Sequence, residues 1–158
     1  MKLNIFERLL KIEVGYAHCD VPCGIYDPYP AQIDAHTCLR MTGLLKNLEA
    51  NDPLRDVKFS RYIENNEKHA EDLKNKIRVI YGDFLTPGKV ENDDELVLLV
   101  RNILKEASNQ RQNPNEVNAL KLVDSVNKFS EIFWKVKGVA TKKVASPYPT
   151  NGDMVRPL

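Results

Sequence analysis

The chain has 158 residues, 42% of them hydrophobic, which is enough for one packed core and too little for two independent ones. Its 23 basic and 22 acidic residues leave a formal charge of +1, so no net field draws it toward nucleic acid or an anionic membrane. No apolar run approaches the roughly 18 residues that span a bilayer, so a soluble protein is expected, and three cysteines are too few for a disulfide scaffold.

Residues 1–17, MKLNIFERLLKIEVGYA, set Leu3, Phe6, Leu9, Leu10 and Val14 at roughly helical spacing, interrupted by Glu7, Arg8, Lys11 and Glu13. A secretory signal needs an unbroken apolar stretch of about 7–15 residues, and this segment has none, so a cytoplasmic protein is expected. By pattern alone the segment is a short amphipathic helix packed on the body.

A proline-rich loop from Pro22 to Pro30 precedes four predicted helices. The first covers about 31–50, with Ile33, Thr37, Met41, Leu44 and Leu48 on one stripe. Asn51, Asp52 and Pro53 break the chain, Asp52 as N-cap and Pro53 in the first turn of a second helix over about 53–84. Its stripe runs Phe59, Tyr62, Ile63, Asn66, His69, Ala70, Leu73, Ile77 and Ile80, and it stops at Thr86-Pro87-Gly88. The third starts near Asp93, where Asp93, Asp94 and Glu95 suit the positive end of a helix dipole, and continues through Leu96, Val97, Val100, Ile103, Leu104 and Ala107. Asn113, Pro114 and Glu116 fit cap, first and third positions of the fourth, whose stripe is Val117, Leu120, Val123, Val126, Phe129, Ile132, Phe133 and Val136.

No strand pattern competes, so the expected fold is all-α: an antiparallel four-helix bundle over 31–137, with the loop 18–30 before it and an irregular tail over 138–158. A bundle names no function by itself, because many activities share it.

Chemistry concentrates at residues 18–26, HCDVPCGIY. Two of the three cysteines and one of the three histidines fall between His18 and Cys23. Thiolate and imidazole suit late first-row transition metals. Pro22 and Gly24 favour a turn that brings Cys19 and Cys23 to one metal. With His18 these side chains supply three ligands, and a closed tetrahedral zinc site takes four. Cys38 or His36 could complete it, or Cys19 and Cys23 could form a disulfide; either makes the chain a non-enzymatic helical module. A second arrangement uses the backbone. If the chain is cut before His18, the new α-amine and the Cys19 amide nitrogen join the two sulfurs in a planar N2S2 set, a geometry that points to divalent nickel or copper.

The run HCDVPCGIYDP, residues 18–28, resembles the nickel hook of the nickel superoxide dismutases across all eleven positions, and the similarity continues to about Lys137 with its Phe133-Trp134 pair. The resemblance implies disproportionation of superoxide to dioxygen and hydrogen peroxide, one nickel ion per subunit, a homohexamer, and a leader over residues 1–17 removed by a processing peptidase. No nucleic-acid or membrane partner is expected, on the near-balanced charge. By similarity His18 binds nickel through its α-amine and imidazole, Cys19 through its amide nitrogen and sulfur, and Cys23 through its sulfur. The peptide bond before Pro22 would be cis. Asp20 would serve mainly through its backbone, and Tyr26 would stand over the open face of the metal. Asp34 falls where the family has a glutamate that holds the first histidine's imidazole, and His69 where it has an arginine. Asp83 and Phe84 resemble an Asp-aromatic pair, with Phe84 lacking a tyrosine's hydroxyl. Cys38 and His36 match no family ligand; they are expected as a core thiol and as a surface or interface residue.

Overall fold

The computed structural model describes residues 23–158, and within them the chain forms the expected bundle. Helix α1 spans Tyr29–Lys46, α2 Arg55–Val79, α3 Asp93–Gln112 and α4 Glu116–Val136. Helix α1 packs on α2 and α4, and α3 packs on the same two, so connections of a few residues join neighbours. The core is built from Ala31, Ala35, Cys38, Ala70, Leu73, Ile77, Ile103, Leu122, Val126, Phe129 and Phe133. None of the described helices is long and apolar enough to cross a membrane.

Local chemistry sets the helix ends. Asn92 caps α3 by accepting from Glu95 N at 3.1 Å, with Asp93, Asp94 and Glu95 in the first turn. The cap of α4 is Asn115, accepting from Asn118 N at 3.0 Å, and not the expected Asn113, which closes α3 instead. Both asparagines flank Pro114, and the one with extended backbone geometry takes the capping role. Helix α2 ends in a π-helical turn, Ile80–Phe84, where Leu85 N donates to Ile80 O at 3.0 Å. This wider turn carries Asp83 and Phe84.

Two buried stripes differ from expectation. In α1 the inward residues are Ala31, Ala35, Cys38, Leu39 and Thr42, whereas Ile33, Thr37, Met41 and Leu44 are only partly buried. Small residues face the bundle because they let neighbouring helices approach closely. In α4, Val117 and Leu120 are exposed, and Ala119 and Leu122 point inward.

The segment after Gly138 is not irregular, as the sequence led us to expect. Thr141–Ala145 (β1) and Asp153–Pro157 (β2) pair as an antiparallel hairpin, from Thr141 opposite Pro157 to Ala145 opposite Asp153. β2 lies on the outer side of α1 and against α4, and it buries Met154 and Val155. Each strand has only five residues, too short for alternation to stand out among prolines and lysines.

Candidate metal centre

His18, Cys19, Asp20, Pro22 and the expected leader 1–17 lie outside the described residues, as does the peptide bond before Pro22. Of the expected metal ligands the structure places Cys23, partly buried at the start of the limb that runs down to α1. Gly24 takes a positive φ of 69°, a conformation glycine adopts without penalty, and this turns the limb.

Tyr26 packs against Phe84 with ring centroids 5.6 Å apart; Phe84 packs on Phe133 at 5.0 Å, and Phe133 edge-on to Trp134 at 5.0 Å. The π-helical turn and the end of α4 thus meet the limb in one aromatic stack. Two ammonium groups lie over it: Lys89 Nζ is 4.9 Å from the Phe84 centroid, and Lys137 Nζ is 5.3 Å from both Phe84 and Phe133. Lys137 also donates to Gly24 O at 3.2 Å, and Lys89 donates to Phe84 O at 2.9 Å. Neither lysine stood out in the sequence, because nothing local distinguishes them from the other basic residues.

On the other side of Tyr26 a cleft of about 390 Å³ runs between the limb and α2, lined by Ile25, Tyr26, Asp27, Asn75, Lys76 and Val79 among others. Behind it sits Asp34, nearly fully buried, with each carboxylate oxygen engaged from α2. His69 Nδ1 is 2.8 Å from Oδ1, and Lys76 Nζ donates to Oδ2. The expected Asp34 and His69 are therefore neighbours, and Lys76 is a third member that sequence reading missed. It lies seven residues after His69, two turns along the same face of α2.

Cys38 and His36, the two bundle residues that could have completed a zinc site, are both engaged elsewhere. Among the described residues no group of three or more His, Cys, Asp or Glu side chains could hold a metal ion. Cys38 is fully buried, donates to Asn66 O at 3.8 Å, and burial pushes its thiol up to about 12. That agrees with a core thiol. His36 is not a surface residue: it is buried, with Nδ1 2.8 Å from Thr150 Oγ1 and Nε2 3.2 Å from Asp153 O. The C-terminal hairpin covers it, and with both ring nitrogens taken it has none to offer a metal.

Comparison with known proteins brings these observations together. The family model described as nickel-containing superoxide dismutase matches residues 13–137. The protein named superoxide dismutase [Ni] from Streptomyces seoulensis is 32% identical over 127 residues, covering 80% of this chain and 92% of its own length. The one of the same name from Streptomyces coelicolor is 32% identical over 77% of this chain and 88% of its own. A solved native nickel superoxide dismutase is 30% identical with a TM-score of 0.67, covering 76% of this chain and 99% of that one. The C-terminal hairpin lies beyond the matched region.

Proposed function

Since the chain belongs to the nickel-containing superoxide dismutase family, and so is an oxidoreductase acting on superoxide with nickel as its cofactor, we propose that its metal is held by a hook starting at His18. Cleavage before His18 frees an α-amine, which binds together with the Cys19 amide nitrogen and the Cys19 and Cys23 sulfurs, with the His18 imidazole as a fifth ligand. The observation that carries this reading is the run HCDVPCGIYDP lying within the family match. The leader 1–17, a processing peptidase, a homohexamer and a cytoplasmic location belong to the same proposal.

When bound, nickel in a thiolate and amide environment supplies the Ni(II)/Ni(III) couple needed to take an electron from one superoxide and return it to another; zinc has no such couple. The net change is two superoxide ions and two protons to dioxygen and hydrogen peroxide. The chain's own groups do the rest. Tyr26, braced on Phe84, narrows access to small anions. Lys89 and Lys137 place positive charge beside the aromatic stack and favour the approach of an anion. Asp20 contributes through the hook backbone. Asp34, held by His69 and Lys76, falls where the resemblance puts the carboxylate that fixes an imidazole ligand, and it could do so only by accepting a second hydrogen bond on one of its oxygens. Its side chain is shorter than glutamate, and both its oxygens already have partners.

The test is where the polypeptide begins and what it holds. Protein purified from its own host should start at His18 and contain about one nickel per chain. One extra residue ahead of His18 should abolish turnover while leaving the helical circular dichroism unchanged, because an amide nitrogen cannot replace an amine. Replacing Cys19 or Cys23 by serine should remove nickel, since a neutral hydroxyl is a harder and weaker donor. Full turnover by a chain retaining residues 1–17 would falsify the amine-ligand model.

A further inference from the structure

The first turn of α1 is poorly held by its own sequence. Pro28 occupies the capping position and provides no side-chain cap, and no acidic residue lies in the first turn to meet the helix dipole. The local support is Asp27 Oδ1, which accepts from Tyr29 N at 2.7 Å. Such an end frays. Yet the limb that leaves it, residues 23–28, carries Cys23 and Tyr26.

The C-terminal hairpin grips this turn. The Arg156 guanidinium lies 3.9 Å above the Tyr29 ring and donates from Nη2 to the Tyr29 hydroxyl at 3.0 Å. Tyr148, in the hairpin loop, places its hydroxyl 3.0 Å from the same oxygen. One turn on, the Gln32 side chain pairs with β2 as a strand would: Val155 N donates to Oε1 at 2.7 Å and Nε2 donates to Val155 O at 3.1 Å. At the other end of the limb, Lys137, just before the hairpin, holds Gly24 O. The limb is thus fastened at both ends by the C-terminal part of the chain.

We infer that the C-terminal hairpin is a brace for the metal hook, with Arg156 and Tyr148 as positioning residues that act through Tyr29 to fix the limb bearing Cys23 and Tyr26. The inference rests on the reading of residues 18–23 as a nickel hook. Holding the limb in place before the metal arrives removes ordering entropy that binding would otherwise have to overcome, and slows the fraying through which a ligand is lost. The effect concerns retention of the metal more than the electron-transfer chemistry.

The experiment uses the full chain processed to begin at His18, with Arg156→Ala, Tyr148→Phe, the double variant and Arg156→Lys. Two readouts are taken: hydrogen exchange of the amides that tie the limb to α1, those of Tyr29, Ala31 and Gln32, in the metal-free protein, and the rate at which bound nickel passes to a chelator. In the double variant, limb exchange and nickel release should each rise about ten-fold or more, with exchange in α3 unchanged. Arg156→Lys, which keeps a cation over the Tyr29 ring, should recover part of both. If the double variant does not fold, Tyr148→Phe removes one hydroxyl and still decides the matter. Limb exchange and nickel release indifferent to these changes, with only the hairpin's own amides affected, overturn the brace and leave the hook intact. A wild-type chain that holds no nickel, with limb exchange still responding to Arg156, overturns the hook reading and leaves the brace as a purely structural device.

Discussion

Asp34 and Cys38 sit one turn apart on α1, both buried, and their surroundings give them opposite roles. Asp34 is a buried carboxylate bonded to His69 and Lys76 on α2, both of which stay partly open to water. Lys76→Met leaves the buried Asp34 carboxylate with only His69 beside it and should cost roughly 2 kcal/mol in urea denaturation, a loss reduced because Lys76 is 38% exposed. Asp34→Asn removes the buried charge itself and leaves partners that water reaches, so it should cost less, about 1 kcal/mol. Equal losses for the two would show that the carboxylate is not the buried member. Cys38 is held as a neutral thiol, its ionisation pushed up to about 12 by burial first and by Asp34 second. Cys38→Ala should therefore leave nickel content unchanged and cost about 1–2 kcal/mol in packing, measured by metal analysis and thermal melting.

The hairpin is the element with the most to reveal by titration. Burial holds His36 below the 6.5 of a free imidazole, while the Asp153 carbonyl bond and the Asp153 charge draw it partly back. The groups facing it are Thr150 and Asp153 from the hairpin, Tyr148 edge-on at 5.5 Å, and Arg40 across the neighbouring cleft. Because the folded pKa is lowered, the unfolded chain takes up the proton first as pH falls. The stability from this site is complete above about 6.5 and is lost as pH drops toward the depressed folded value. The melting temperature should fall between pH 7 and pH 5, and a His36→Gln variant should show a shallower fall over that interval; parallel curves would sink the assignment. Gly152 faces the same ring. A Cβ there would lie 3.0 Å from His36 Cε1, and a ring bonded at both nitrogens has little freedom to yield. Gly152→Ala should destabilise the protein by about 1–3 kcal/mol in chemical denaturation.

For the molecule as a whole, the hairpin converts one face of a bundle into interior. It buries Met154 and Val155 and covers Gln32 and His36, so α1 has protein on nearly every side. Removing residues 141–158 should lower stability by roughly 3 kcal/mol or more, from the apolar burial of Met154 and Val155, with helical circular dichroism largely kept. The four helices were legible in advance because the spacing of Leu73, Ile77 and Ile80, or of Leu96, Val100 and Ile103, is a property of the chain alone. So was the candidate hook, whose donor types and Pro-Cys-Gly turn stand next to one another in residues 18–24. The inward face of α1 was not, because its residues are small and its outer side is also covered; hydrophobic spacing marks a buried face only when the other is left in water. Nor was the brace. Arg156 and Tyr29 are 127 positions apart, and Lys76 and Asp34 are 42, so only the packing of distant segments makes them neighbours. Local order along the chain thus decided where the helices form and which donor types stand together at residues 18–24. Tertiary structure decided which groups surround them, because contacts between remote residues leave no periodic trace in either segment.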